Sequence, residues 1–218
     1  MRIVVPIKQV PETSNVKMDP ETGTMVRSGV ESIVNPLDLY AIEAALRLRS
    51  QVGGKITTLS MGPPSAARAL REAIAMGCDD GVLLSDRKFA GADTWATSYT
   101  LSRAIRKLGQ PRPQEELRED DLGEVDLIIC GERATDGDTG QVGPGIASFL
   151  DLPLATYVSH IALSDGGVRI KRLVEGGTEV LWTPLPAVLT VVKDIAYPRL
   201  PTLRGKLRAK AMEIPVWG

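Results

Sequence analysis

The segment 131–143 is the part of the sequence that best fits ligand chemistry. It reads Gly-Glu-Arg-Ala-Thr-Asp-Gly-Asp-Thr-Gly-Gln-Val-Gly, follows an apolar run and precedes a predicted helix. Small residues let backbone amides approach phosphate oxygens, and a helix N-terminus adds partial positive charge. The spacing matches neither a Walker loop nor G-x-G-x-x-G, so it names no nucleotide. Phosphate binding and an ordinary glycine-rich loop both remain open.

The titratable residues give little indication of acid–base or metal chemistry. His160 is the only histidine and lies among alternating apolar residues, which is typical of a structural or surface histidine. Cys78 and Cys130 are far apart and fit neither a disulfide framework nor a metal cluster. Asp136 and Asp138 could bind a metal, but such carboxylates more often cap helices or bind ribose hydroxyls. We predict a binding site without catalytic residues or metal ligands.

Composition limits the possible partners. With 218 residues, 43% of them hydrophobic and 24% charged, the chain suits one substantial globular domain. A net charge of −1 gives no electrostatic reason to expect nucleic acid or an anionic membrane as a partner. No apolar run approaches the roughly 20 residues of a membrane helix, and the N-terminus lacks the layout of a signal peptide. We therefore predict a cytoplasmic protein without direct membrane insertion.

Alternating apolar strands and amphipathic helices predict the elements that hold the glycine-rich segment. Continuous apolar strands between helices indicate an α/β fold with an open, mostly parallel, doubly wound sheet. The predicted strands are 3–7, 55–61, 81–84 and 126–130. Four helices are predicted. The first begins at Asn35-Pro36 with Asn35 as the cap, and the second spans 65–76 before Gly77. The third begins at Asp93 and reaches about Leu108, and the fourth ends near Leu150.

The other segments differ from this rhythm. Residues 155–192 are β-rich with turns at 165–167 and 175–177, which predicts antiparallel strands or a small lobe at the sheet edge. Residues 19–24 have hairpin-turn chemistry, and 110–123 are predicted to be a solvated insertion without chemistry. Residues 198–218 are basic and poor in core material, so we expect them to be disordered or to lie on another protein.

A ligand site is expected at the carboxyl edge of the parallel sheet, because open α/β sheets bind ligands there. Four segments follow the predicted strands and should converge at this edge. They are 6–8, 60–63, 85–94 and 131–143.

Several blocks of sequence, in order and correctly spaced, resemble the electron transfer flavoprotein beta subunit family from Arg2 to about Lys210. The blocks are Val5-Pro6-Ile7-Lys8-Gln9-Val10-Pro11, Asn35-Pro36 with 41–48, Ser60-Met61-Gly62-Pro63, Ala73-Ile74-Ala75-Met76-Gly77, 131–143, Arg172 with Glu175-Gly176-Gly177, Glu179 and Leu185-Pro186, and 197–203. The resemblance implies an adenine nucleotide hydrolase-like fold over 1–195, and a partner-recognition segment and tail over 196–218.

The resemblance also implies a heterodimer whose alpha subunit carries the electron-transferring FAD. The beta subunit would bind an adenine nucleotide at the carboxyl edge of its sheet. The implied contacts are Pro6 and Thr58 through backbone atoms, Asn35, Met61, Gly131, Glu132, Arg133, Ala134, Thr135, Asp136, Gly137, Asp138, Thr139, Gly140, Gln141 and Val142.

A further block divides the family. Residues 86–101 resemble members that bifurcate electrons, which bind a second FAD in the beta subunit, whereas classical members bind AMP as a structural ligand. The start of a helix at Asp93, Thr94 and Thr97 could approach an isoalloxazine ring and donate hydrogen bonds to it, although Asp93 could also be an ordinary helix cap. We expect FAD, with AMP as the alternative.

The implied activity is electron transfer. The flavin would accept hydride from NADH, one electron passing to the alpha-subunit FAD and on to an acyl-CoA-type or other dehydrogenase, the other to ferredoxin or flavodoxin. A stand-alone adenine-nucleotide-binding module, and a subunit whose nucleotide only stabilises the fold, are the alternatives.

Two features concern the partners. The family's C-terminal arm continues past the last residues of this sequence, which predicts a truncated chain or a weaker heterodimer. By resemblance, Leu203 would anchor the partner dehydrogenase; the alternative is a surface leucine.

Overall fold

A computed structural model of the chain describes residues 1–12, 17–18, 25–26, 32–109 and 125–218. The helices are α1 (Pro36–Val52), α2 (Ala67–Met76), α3 (Thr94–Gly109), α4 (Val142–Leu150) and α5 (Leu203–Ala211). The strands are β1 (Arg2–Pro6), β2 (Gln9–Pro11), β3 (Lys17–Met18), β4 (Met25–Val26), β5 (Ser32–Val34), β6 (Lys55–Met61), β7 (Asp80–Leu84), β8 (Leu127–Gly131), β9 (Leu154–Ser164), β10 (Gly167–Val174), β11 (Gly177–Pro184), β12 (Ala187–Val191) and β13 (Val216–Trp217).

The main sheet has nine strands in the described ranges, in the order β11-β10-β9-β12-β8-β1-β6-β7-β13. Its neighbours pair in parallel except where β10 joins β9 and β11. In register, Val4 of the central strand β1 lies between Thr57 of β6 and Ile128 of β8. The predicted α/β fold with an open, mostly parallel sheet is confirmed.

Helices cover both faces of the sheet, as continuous apolar strands require. On one face, Ile3 of β1 packs in a core that includes Ile42 of α1 and Ile74 of α2. On the other face, Val4 packs in a core that includes Leu101 of α3 and Ile146 of α4. Because β8, β1, β6 and β7 pair in parallel, their carboxyl ends lie at a common edge of the sheet.

The helix boundaries largely match the sequence pattern. Strand β6 has the predicted bounds. The Asp93 carboxylate accepts a 2.8 Å bond from the amide of Ala96 and so caps α3, as predicted. The prediction that the Asn35 side chain caps α1 is wrong, because no side-chain cap bond forms and only its backbone carbonyl accepts, from the amide of Asp38 at 2.9 Å. Its amide group is engaged elsewhere.

The β-rich region is part of the main sheet. Strands β9, β10 and β11 form two antiparallel hairpins with turns at Gly166 and Gly176, which have φ of 69° and 83°. Because β9 pairs in parallel with β12, these strands extend one edge of the sheet. The prediction of antiparallel strands is confirmed, and the region is not a separate lobe.

The C-terminal segment is ordered, so the prediction of disorder is wrong. Helix α5 packs on α2, and Ala209 and Ile214 are buried. Arg208 donates a 2.9 Å bond to the carbonyl of Ile74. Strand β13 then pairs with β7 at the other edge of the sheet. Leu203 is exposed at the start of α5, and contact of this segment with another protein stays a prediction.

Two predicted segments, the insertion at 110–123 and the turn at 19–24, lie outside the described residues. The strands on either side of that turn, β3 and β4, pair antiparallel. None of the helices in the described ranges has the length and apolar character needed to cross a bilayer.

Candidate functional site

A cavity of about 790 Å³ lies at the carboxyl ends of β1, β6, β7 and β8. All four predicted segments reach it, so their expected convergence is confirmed. Of the predicted contacts, those on the cavity wall are Pro6, Met61, Asp93, Thr94, Thr97, Gly131, Glu132, Arg133, Ala134, Gly137, Thr139, Gly140, Gln141 and Val142. The remaining predicted contacts, Asn35, Thr58, Thr135, Asp136 and Asp138, are not on the wall.

The path of the 131–143 loop depends on two glycines in different ways. A Cβ at position 131 would lie 2.4 Å from the Asp38 Oδ1 atom and 2.9 Å from the backbone of Leu37, so the loop leaves β8 pressed against α1. Gly140 has φ of 64°, in the left-handed region that side chains rarely adopt. The chain then enters α4, whose first residues Val142 and Gly143 line the cavity, and a helix N-terminus favours an anion.

Two cations of the cavity wall are paired with carboxylates of the loop. Lys8 Nζ lies 2.7 Å from Asp136 Oδ1. Arg133 Nε lies 2.7 Å from Asp138 Oδ1, and its Nη1 lies 2.9 Å from Glu132 Oε1. These pairs are partly exposed and therefore add little to stability. They explain why the carboxylates of Asp136 and Asp138 turn to neighbouring side chains and are absent from the wall.

Asn35 holds the loop from behind. Its side chain is fully buried. Its Nδ2 donates a 2.8 Å bond to the carbonyl of Arg133, and its Oδ1 accepts a 3.1 Å bond from the amide of Thr135. Both loop residues lie about a hundred positions away in sequence. Asn35 therefore fixes the backbone of the loop without reaching the cavity wall.

Thr58 also lies away from the cavity. It is fully buried within β6, and its hydroxyl donates a 3.0 Å bond to the carbonyl of Asp80 on β7. Pro6 and Met61, at the ends of β1 and β6, do line the wall. The end of β6, and not its middle, is therefore the part that meets the cavity.

The start of α3 forms another part of the cavity wall, beside the start of α4, because the Ser98 hydroxyl donates a 3.3 Å bond to the carbonyl of Val142. Thr94 and Thr97 lie there with Phe89 and Gly91, which has φ of 78°. The Asp93 carboxylate is committed to capping the helix. Hydroxyl groups at a helix N-terminus, where the dipole is positive, suit a ligand that gains negative charge.

Asp38 is a wall residue that sequence reasoning missed. Its side chain is buried, and burial raises the pKa of its carboxyl group to about 7, although hydrogen bonds and the charge of Lys8 partly oppose that shift. The backbone amide of Lys8 donates a 2.7 Å bond to its Oδ2. An acidic residue in the first turn of a helix next to a buried strand was the available signal. The wall also includes Lys8 and Arg87, which were in the predicted segments but not among the predicted contacts.

The other candidates for chemistry are placed as structural or surface groups. His160 is exposed on β9, opposite Lys171, and is not on the cavity wall. Cys130 is on the wall but buried, and burial raises the pKa of its thiol well above its ordinary value. Burial likewise raises the pKa of Cys78 to about 12. Within the described ranges, histidines, cysteines and carboxylates do not gather into a metal-binding group.

Comparison with known proteins gives one consistent result. Residues 22–218 match the electron transfer flavoprotein domain. The chain is 46% identical over 209 residues to the electron transfer flavoprotein subunit beta of Thermoanaerobacterium thermosaccharolyticum, covering 96% of this chain and 75% of that protein. It is 45% identical over 220 residues to protein FixA of Azorhizobium caulinodans, covering 100% and 75% of the two chains.

A third relative is subunit CarD of the caffeyl-CoA reductase-Etf complex of Acetobacterium woodii, which is 45% identical over 218 residues. The match covers 100% of this chain and 78% of that protein. A domain match over most of the chain, together with identities of this size, shows common ancestry and fold. The chain belongs to the electron transfer flavoprotein beta subunit family.

Proposed function

We propose that the chain is the beta subunit of a heterodimeric electron transfer flavoprotein and holds FAD in the cavity at the carboxyl edge of its sheet. Family membership supports a role in electron transfer. The observation that favours FAD over AMP is the extent of the cavity. Its lining includes both the 131–143 loop and the start of α3, and its volume of about 790 Å³ lies in the upper half of the range of roughly 300–1,000 Å³ that ligand pockets have.

Different parts of the cavity wall suit different parts of FAD. Backbone amides near Gly140 and the start of α4 fit the diphosphate, with Pro6 and Met61 beside the adenosine. At the start of α3, Thr94 and Thr97 offer hydroxyl donors at a helix N-terminus, which would stabilise negative charge on a reduced ring. Bound FAD would supply the redox chemistry, accepting hydride from NADH and passing electrons to the alpha-subunit FAD and to ferredoxin or flavodoxin.

The proposed partners are the alpha subunit and a dehydrogenase. One relative is named as a subunit of a caffeyl-CoA reductase-Etf complex, which supports assembly with other chains. Leu203 is 77% exposed at the start of α5, so its apolar side chain is accessible to a partner.

Replacement of both hydroxyl donors tests the FAD proposal. In the heterodimer, Thr94→Val together with Thr97→Val removes donors at the start of α3 and leaves the 131–143 loop intact. We expect slower bleaching of the flavin absorbance by NADH, by about tenfold or more, with the adenine nucleotide still bound. Thr100→Val is the matched control, because Thr100 is half-buried on the same helix, bonds to the carbonyl of Ala96 and is not on the wall. Equal bleaching rates in the two variants would contradict the proposal.

A further inference from the structure

The Asn35 side-chain amide is bonded to the loop through both its nitrogen and its oxygen. A primary amide has two N–H donors and one carbonyl acceptor. Nδ2 donates to the carbonyl of Arg133, and Oδ1 accepts from the amide of Thr135. The side chain has no exposed surface and is not on the cavity wall.

The same residue is tied to the end of β1 through its backbone and its neighbour. The amide of Asn35 donates a 2.8 Å bond to the carbonyl of Lys8. The amide of Lys8 in turn donates a 2.7 Å bond to Asp38. Lys8 Nζ then reaches Asp136, one residue past Thr135. These bonds join the end of β1, the start of α1 and the loop into one connected unit.

We propose that Asn35 is a positioning residue of the nucleotide site: its side chain sets the loop backbone at 133–135 against the end of β1. The inference rests on the proposed nucleotide binding and adds a positioning role to the contact that the family resemblance implies for Asn35. Its role is to hold the loop ready before a ligand arrives, which reduces the ordering cost of binding.

Hydrogen exchange on the full chain, with bound nucleotide removed, tests the positioning directly. In Asn35→Ala the amide of Thr135 loses the Oδ1 atom of Asn35 as its hydrogen-bond acceptor. Exchange of the Thr135 amide should therefore become about tenfold faster or more. Affinity for added AMP and for added FAD should fall together, by about tenfold or more each, because the loop serves the adenosine and phosphate part that both share. Asn35→Asp keeps the volume and the acceptor for Thr135, so Thr135 stays protected while the bond to Arg133 is lost.

Ser102→Ala is the matched control. It removes another buried side-chain hydrogen bond, from the Ser102 hydroxyl to the carbonyl of Tyr99 at 2.7 Å, on α3 and away from both the loop and the cavity wall. It should leave exchange at Thr135 and affinity for AMP unchanged. Unaltered exchange at Thr135 in Asn35→Ala, or the same change in Ser102→Ala, overturns the inference. Failure of the unmodified chain to bind either AMP or FAD overturns instead the proposed function on which the inference rests.

Discussion

Asp38 combines burial, a hydrogen bond to the Lys8 amide and a position on the cavity wall, and these three properties make its charge state important. Its pKa of about 7 is far above the ordinary value of 3.8, with burial as the main cause. A carboxylate there would face the same cavity that is proposed to hold phosphate groups. The neutral acid avoids that repulsion, so the protonation of one residue links the site to pH.

The pH dependence of stability follows from this shift. Between pH 3.8 and about 7 the unfolded chain has lost the Asp38 proton and the folded chain retains it. The folded state therefore binds more protons, and the free energy of unfolding falls as pH rises through this window, by at most about 4 kcal/mol. The contribution is complete below about pH 4 and lost above about pH 7.

Asp38→Asn should remove this dependence, because the amide stays neutral and its oxygen can still accept from Lys8. In urea unfolding of the nucleotide-free chain, the variant should gain stability relative to the native chain between pH 5 and pH 8. Asp165→Asn, in the exposed turn between β9 and β10, is the control without such a gain. Parallel pH profiles for the native chain and Asp38→Asn would refute the assignment.

At the scale of elements, close approaches between helices are made where the sequence supplies glycine. A Cβ at Gly145 of α4 would lie 2.3 Å from the hydroxyl oxygen of Ser98 on α3. A Cβ at Gly205 of α5 would lie 2.1 Å from the carbonyl oxygen of Ala75 on α2. Helix α5 has few apolar residues, and its docking therefore depends on this close backbone contact.

Gly205→Ala should move α5 away from α2. Since backbone cannot yield as a flexible side chain does, we expect the free energy of unfolding to fall by about 1–3 kcal/mol. Gly177→Ala is the control, because a Cβ at Gly177 meets nothing within 4 Å and its φ is not in the left-handed region. Thermal or urea unfolding compares the two variants, and equal stability would show that α5 docks without this contact.

The elements show which parts of the fold were predictable. Strand β6, the cap at Asp93 and the hairpins β9–β11 follow from local periodicity and turn residues, and all were predicted. Asn35 was misassigned as a helix cap because its partners, Arg133 and Thr135, are distant in sequence and no local pattern reveals them. The order of α5 and β13 was missed because a close approach at Gly205, hydrogen bonds from Arg208 and backbone pairing hold them, and none of these gives apolar periodicity.

At the scale of the whole molecule, the segment after β12 is anchored to α1 by Arg199, and several of its apolar residues are exposed. Glu43 of α1 is buried and accepts bonds from Arg199, at 2.7 Å from Nε and 3.0 Å from Nη2. Burial alone would raise the pKa of Glu43, but hydrogen bonds from Arg199 and Arg47 hold it below its ordinary value. On either side of Arg199 in sequence, Tyr197, Leu200 and Leu203 are exposed, which fits a surface that meets another protein.

Leu203→Ser tests that surface. If Leu203 anchors the partner, electron transfer from the heterodimer to an acyl-CoA dehydrogenase should show KM raised about tenfold with kcat little changed. The melting temperature should barely move, because the side chain is exposed. Val180→Ser is the control, on the exposed face of β11 at the opposite edge of the sheet. An unchanged KM in Leu203→Ser would show that the leucine is an ordinary surface residue.

The identity of the bound nucleotide tests the central claim most directly. The native heterodimer should be denatured and its released nucleotides quantified by mass spectrometry, with NADH bleaching recorded beforehand. FAD in the cavity predicts two FAD molecules per heterodimer and bleaching of the flavin absorbance by NADH. One FAD together with one AMP would contradict the account and make the nucleotide a structural ligand.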